Sequence, residues 1–171
     1  MTIANGLTLF RAVAGIPILV ALGDGERTLA LVLFALAASS DALDGFLARR
    51  GGTAEGRGVI LDPLADKALV LPTLIGLAFI GSAPLGITAI IVVRELCVAA
   101  VRVMMYRHGR RTHASGAAKA KTACEMAAIV LLIVPPSPLA AEAGAALLTA
   151  AALVGILTLP AYLPHARRRF T

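Results

Sequence analysis

The sequence predicts an all-α polytopic membrane protein with six transmembrane helices and both termini in the cytoplasm. Three observations carry that expectation. The 171 residues are 58% hydrophobic and only 15% charged, with a mean hydropathy of +0.86, whereas a soluble domain carries about 25% charged residues. Apolar runs close to the ~20 residues that a spanning helix needs recur between short polar, Gly-rich or Pro-rich breaks. Lysine and arginine collect on alternate connections, as the positive-inside rule requires. At this length the spans leave little chain for loops, so a single domain over residues 1–171 is expected, without a sizeable ectodomain. The composition excludes disorder. Cys97 and Cys124 both lie in apolar stretches, which excludes a disulfide scaffold or a zinc ribbon.

Each element follows from its run and its break. The first helix is expected over Ile3–Leu22, ending at the turn Gly23-Asp24-Gly25-Glu26-Arg27. The second covers Thr28–Arg49, and a Gly-rich linker, residues 50–57, leads to the third at Gly58–Ile80. Gly81-Ser82-Ala83-Pro84 is a tight turn before the fourth, Leu85–Tyr106. A basic loop, residues 107–115, precedes the fifth helix at Gly116–Val134. Pro135-Pro136-Ser137-Pro138 breaks the chain before the sixth, Leu139–Leu163. The small residues of the last helix, such as Ala140–Ala146, are expected to pack closely against a neighbouring helix.

Orientation follows from the cations. Arg49, Arg50, Arg57, Arg107, Arg110, Arg111, Lys119, Lys121 and Arg167–Arg169 fall on one side, while the other has Arg27 beside Asp24, Glu26 and Glu142. The basic side is assigned to the cytoplasm. The net charge of +6 is thus a topology signal, and it suits contact with anionic membrane lipids. A nucleic-acid partner is not expected, because no basic stripe is interleaved with aromatics. Arg11 in the first helix and the lack of a small-residue cleavage site argue against a cleaved signal peptide.

Several ionisable residues nevertheless fall inside the expected spans: Arg11, Asp41, Asp44, Asp62, Asp66, Lys67, Arg94, Glu95, Arg102 and Glu125. Each costs roughly 2.5–3.5 kcal/mol at a bilayer centre, so their depths are informative. Counted from the cytoplasmic helix ends, Arg11, Asp41, Asp66 and Glu125 lie about 12–14 Å in, Asp44 and Asp62 about 6–8 Å, and Arg94 somewhat deeper. One cavity open to the cytoplasm is expected. Asp41, Asp44, Gly45 and Ala48 share one face of the second helix, and Gly58, Asp62 and Asp66 one face of the third. Four carboxylates in a poorly hydrated site need cations to neutralise them. Oxygen donors without His or Cys point to Mg²⁺ or Mn²⁺ rather than zinc. Gly45 and Gly58 clear space beside the acids, and Arg49 can hold a phosphate. Such a cluster suits a diphosphate substrate.

The run Asp41-Ala42-Leu43-Asp44-Gly45-Phe46-Leu47-Ala48-Arg49, followed at fixed spacing by Gly58, Asp62 and Asp66, resembles the signature D-x2-D-G-x2-A-R-x8-G-x3-D-x3-D of CDP-alcohol phosphatidyltransferases. All eight fixed positions are filled. Asn5-Gly6-Leu7-Thr8-Leu9-Phe10-Arg11 is similar to the family's N-terminal motif, and six spans is its usual number. Asp62-Pro63-Leu64-Ala65-Asp66-Lys67, Arg94-Glu95 and Lys119-Ala120-Lys121-Thr122 resemble the branch that makes phosphatidylglycerol phosphate. The resemblance is thinnest in the last helix.

The resemblance implies metal-dependent transfer of a phosphatidyl group from CDP-diacylglycerol to an alcohol, with release of CMP, at the cytoplasmic face of the cell membrane. By carry-over, Asp41, Asp44 and Asp62 hold two ions on the diphosphate, and Asp66 is the general base and a further metal ligand. Thr8, Gly45, Ala48, Arg49 and Gly58 line the site for CDP-diacylglycerol. Glycerol 3-phosphate is the favoured acceptor, drawn by Arg94, Arg102, Lys119 and Lys121. Inositol phosphate, or phosphatidylglycerol in a cardiolipin synthase, would leave the Asp motif unchanged. A homodimer is implied by the family alone.

Other readings compete residue by residue. The acids also fit structural ion pairs with Arg11, Lys67 and Arg94, and Asp62-Pro63 also fits a helix N-cap with proline at the first position. Arg94 with Glu95, and Lys121 with Glu125, are expected to neutralise one another. A small cation transporter using intramembrane carboxylates is the rival from another class. No internal repeat supports it.

Overall fold

The computed structural model describes residues 3–51, 58–107, 116–135 and 137–159, and among them every regular element is a helix. These are α1 (Ile3–Gly23), α2 (Arg27–Gly51), α3 (Gly58–Phe79), α4 (Leu85–Arg107), α5 (Gly116–Ile133) and α6 (Pro138–Thr158). The chain divides into two compact units. One holds Met1–Ile80 with Ile133–Pro135, the other Gly81–Leu132 with Pro136–Thr171.

In the first unit α1 packs against both α2 and α3. Ala14, Ile18, Ala21 and Leu22 of α1 are buried, as are Ala30, Phe34 and Ala37 of α2 and Leu69, Val70, Leu74 and Leu77 of α3. Contact between α1 and α3 is set by glycine. A Cβ on Gly15 would stand 2.2 Å from the carbonyl oxygen of Ala68, so only a bare backbone permits this approach. The end of α1 is a Schellman motif. Gly25 adopts φ 81°, its N–H donates to the Leu22 carbonyl, and the Glu26 N–H donates back to Ala21 at 2.8 Å. The turn read from sequence as Gly23–Arg27 therefore has its own hydrogen bonds and delivers the chain directly into α2.

In the second unit α4 packs on α6. Ile91 and Val98 of α4, Ala128, Ile129 and Leu132 of α5, and Leu148 and Ala151 of α6 are buried. Gly144 lies against Leu132, its absent Cβ 2.8 Å from Leu132 Cγ, in the small-residue stretch where close packing was expected. The start of α6 is capped by Ser137, whose Oγ accepts from the Ala140 N–H at 3.2 Å, with Pro138 in the first turn, where its missing N–H costs nothing.

Two expectations are adjusted. The last helix, expected to reach Leu163, ends at Thr158; Leu159 turns its N–H to the Ile156 carbonyl, and Pro160 has no N–H with which to continue the ladder. Residues 160–163 of that expectation lie outside the described residues. Among the described residues, α6 is the one helix both long and apolar enough to cross a bilayer by those criteria alone. Shorter apolar stretches run over Val13–Gly23, Arg27–Ser40 and Lys67–Phe79. Charge explains the shortfall in α4 and α5, since Arg94, Glu95 and Arg102 interrupt one and Lys119, Lys121 and Glu125 the other.

Candidate active site

The aspartate motif lies wholly on the helices of the first unit. Asp41, Asp44, Gly45, Ala48 and Arg49 belong to one continuous helix, α2. Gly58 opens α3, which continues through Asp62 and Asp66 without a break at Pro63. Thr8 stands in the second turn of α1. Unbroken helix through both halves of the motif fixes its register: the acids recur at i, i+3 on α2 and at i, i+4 on α3, so each pair stays on one helix face. The side chains of Thr8, Asp41, Asp44, Ala48, Arg49, Asp62 and Asp66 lie outside the described residues, as does the linker at residues 52–57. Among the described residues no group of three His, Cys, Asp or Glu stands together. The chemistry of the motif itself fits a hard divalent cation, for it offers four carboxylates and no imidazole or thiolate.

The second unit carries a buried charge network that joins three helices. Glu95 of α4, Lys121 of α5 and Glu125 of α5 are 1%, 2% and 0% exposed. Glu95 Oε1 accepts from both Lys121 Nζ and Arg94 Nη1. Lys121 Nζ also pairs with Glu125 Oε1 at 2.7 Å, one helical turn further along α5. Arg94 then reaches α6, donating from Nε to the Gly155 carbonyl at 3.2 Å and from Nη2 to Thr158 Oγ1 at 3.1 Å. Two cations stand against two carboxylates, and their mutual attraction offsets part of the cost of taking isolated charges out of water. Arg94, Glu95 and Lys121 are also hydrogen-bonded to one another, which lowers the cost of burying them.

Of the four residues assigned to the acceptor, the structure brings Arg94 and Lys121 onto a shared carboxylate oxygen. Arg102 is partly buried about two turns along α4 from Arg94, and the side chain of Lys119 lies outside the described residues. Sequence reading anticipated Arg94 with Glu95 and Lys121 with Glu125. It missed the bond from Lys121 to Glu95 on another helix, and it missed Gly155 and Thr158 altogether. A lone threonine near the end of an apolar helix was the available signal, but nothing in the sequence names its partner.

The chain belongs to a defined class of lipid-modifying enzyme. The family model for CDP-alcohol phosphatidyltransferase matches residues 1–158, and the chain belongs to that family. It is therefore an enzyme, a transferase of phospholipid biosynthesis. Similar proteins include the probable phosphatidylglycerophosphate synthase of Mycobacterium tuberculosis, 38% identical over 97% of this chain and 82% of that one. The CDP-diacylglycerol--glycerol-3-phosphate 3-phosphatidyltransferase of Salmonella choleraesuis is 34% identical over 94% of this chain and 92% of its own length. A cardiolipin synthase (CMP-forming) of Streptomyces coelicolor is 36% identical over 64% of this chain and 54% of its own.

Proposed function

We propose that this enzyme transfers the phosphatidyl group of CDP-diacylglycerol to glycerol 3-phosphate and releases CMP. The observation that carries the reading is the near full-length similarity to relatives named for that reaction, together with a complete aspartate motif. The acceptor hydroxyl oxygen bonds to the phosphorus that bears the diacylglycerol, the bond from that phosphorus to the CMP oxygen breaks, and CMP departs. Asp66 takes the hydroxyl proton. Asp41, Asp44, Asp62 and, in part, Asp66 would hold Mg²⁺ or Mn²⁺, two ions in this reading, which when bound neutralise the diphosphate and the charge that grows on the leaving group. Gly45, Ala48 and Gly58 leave room for the nucleotide, and Thr8 and Arg49 bind it. In phosphoryl transfer most of the catalysis is of this kind, positioning and charge neutralisation.

Arg94, Arg102, Lys119 and Lys121 draw the acceptor phosphate, and their charge favours a phosphorylated acceptor over a neutral one. The protein works as a multi-pass protein of the cell membrane, with its termini and its site on the cytoplasmic side. Two features support this. Lys and Arg are segregated to one set of connections. Large apolar side chains stand exposed along the helices, with Val20 at 56%, Leu153 at 57% and Leu157 at 78%, as a lipid-facing surface requires.

The test is CMP release from CDP-diacylglycerol by purified protein with Mg²⁺ or Mn²⁺, against glycerol 3-phosphate, inositol phosphate and phosphatidylglycerol, with the lipid product identified. Phosphatidylglycerol phosphate is the expected product. Cardiolipin from phosphatidylglycerol would make phosphatidylglycerol the acceptor, with the product named for the Streptomyces relative. No CMP with any acceptor would overturn the reading.

A further inference from the structure

The end of α6 is built to hold one arginine. The N–H of Leu159, which in a continuing helix would bond the Gly155 carbonyl, turns instead to Ile156. That leaves the Gly155 oxygen, at the negative end of the helix dipole, without the Leu159 N–H and open to side-chain donors. Arg94 Nε fills it at 3.2 Å. One turn on, Thr158 donates its hydroxyl proton back to its own helix, to Val154 at 2.8 Å or Gly155 at 3.0 Å, so its oxygen faces Arg94 as an acceptor and takes the Nη2 bond. Glu95 holds Nη1. A guanidinium has five N–H donors in one plane; these three bonds fix that plane and leave one N–H on each terminal nitrogen. Charged N–H groups of this kind are what an arginine offers a phosphate.

Gly155 belongs to the same device. A Cβ there would sit 3.4 Å from Arg94 Nε and 3.8 Å from Lys121 Cε. Both cations of the network therefore lie across a helix surface that has no side chain at that point, and anything larger than alanine would displace them.

We propose that Gly155 and Thr158 are positioning residues for the acceptor, acting through Arg94, so that α6 tunes recognition of the acceptor phosphate as well as anchoring the chain. The proposal rests on the reading of Arg94 as a ligand of the glycerol 3-phosphate phosphate. A purely structural role, the capping of α6 by Arg94, would affect both substrates alike.

The experiment measures KM for glycerol 3-phosphate and for CDP-diacylglycerol with purified wild type, Thr158→Val, Thr158→Ala and Thr158→Ser. Valine keeps the shape and removes the acceptor oxygen, alanine removes it with less bulk, and serine restores it. The expected result is a rise of about three- to tenfold in KM for glycerol 3-phosphate in the valine and alanine variants. KM for CDP-diacylglycerol stays constant, and serine returns the acceptor KM to near wild type. Should valine fail to fold, the alanine and serine pair gives the same comparison. An unchanged acceptor KM, or an equal rise for both substrates, overturns the positioning proposal while leaving the acceptor reading in place. Wild-type protein that does not turn over glycerol 3-phosphate overturns both.

Discussion

Replacing Gly15 with alanine presses a methyl carbon against the backbone carbonyl oxygen of Ala68, 2.2 Å from where the Cβ would stand. That is roughly 1 Å closer than carbon and oxygen ordinarily meet. A carbonyl held in a helix cannot rotate away, and Pro72 Cγ closes the same space at 3.1 Å, so α1 and α3 must separate. Overpacking of this kind costs about 1–3 kcal/mol, and the absence of any flexible neighbour puts Gly15→Ala at the upper end. The melting temperature of purified protein should fall by about 5–10 °C. The other glycines supply an internal scale. At Gly76 and Gly144 the atoms met first are Leu19 Cδ1 at 2.9 Å and Leu132 Cγ at 2.8 Å, side chains that can repack, so alanine there should cost about 1 kcal/mol. Gly86 meets nothing within 4 Å, and Gly86→Ala should stay within about 0.5 kcal/mol of wild type. Thermal unfolding of the four variants in one detergent, followed by loss of monodisperse protein, reads the order directly. Because Ala68 lies two residues from Asp66, Gly15→Ala should also slow CMP release. A Gly15→Ala protein that melts with wild type, or a Gly86→Ala protein that melts below it, would refute the close-approach argument.

Other consequences are open to simpler assays. Asp66→Asn should abolish turnover while leaving CDP-diacylglycerol binding measurable by a competition assay; equal loss of binding would make Asp66 chiefly a metal ligand. Chelation should stop CMP release and Mg²⁺ or Mn²⁺ restore it, whereas full activity in a chelator would remove the metal from the reading. Glu95→Gln takes the shared negative charge from between Arg94 and Lys121, and breaking a buried pair costs roughly 3–5 kcal/mol. Its melting temperature should therefore drop well below that of Glu142→Gln, an exposed control; similar values would show that the network does not stabilise the fold. Arg94→Ala and Lys121→Ala should each raise KM for glycerol 3-phosphate more than tenfold, and unchanged values would displace these residues from the acceptor site.

Much of this was legible without coordinates, for physical reasons that differ from element to element. Helix starts and ends were readable to within a few residues, because Gly23–Arg27, Gly81–Pro84 and Pro135–Pro138 concentrate the residues that break helices. The end of α6 was harder to read, since apolar residues continue past Thr158 and hydropathy does not register that Pro160 lacks a donor. Within the network, Lys121 and Glu125 are one turn apart on one helix, a spacing visible in any sequence. Lys121 and Glu95 are 26 residues apart, and no periodicity relates them.

The sequence by itself determined the helical class, the six helices seen among the described residues, the family and the aspartate motif, because each depends on local composition or on spacing along a single helix. Only the tertiary structure decided that α1 is the helix packed on both bearers of that motif, and that the bare surfaces of Gly15 and Gly155 admit a carbonyl and an arginine. It alone also drew Arg94 to the end of α6. Those choices turn on which helix faces meet and how closely, and contact between distant segments is set by packing in three dimensions, where a missing methyl group counts as much as a charge.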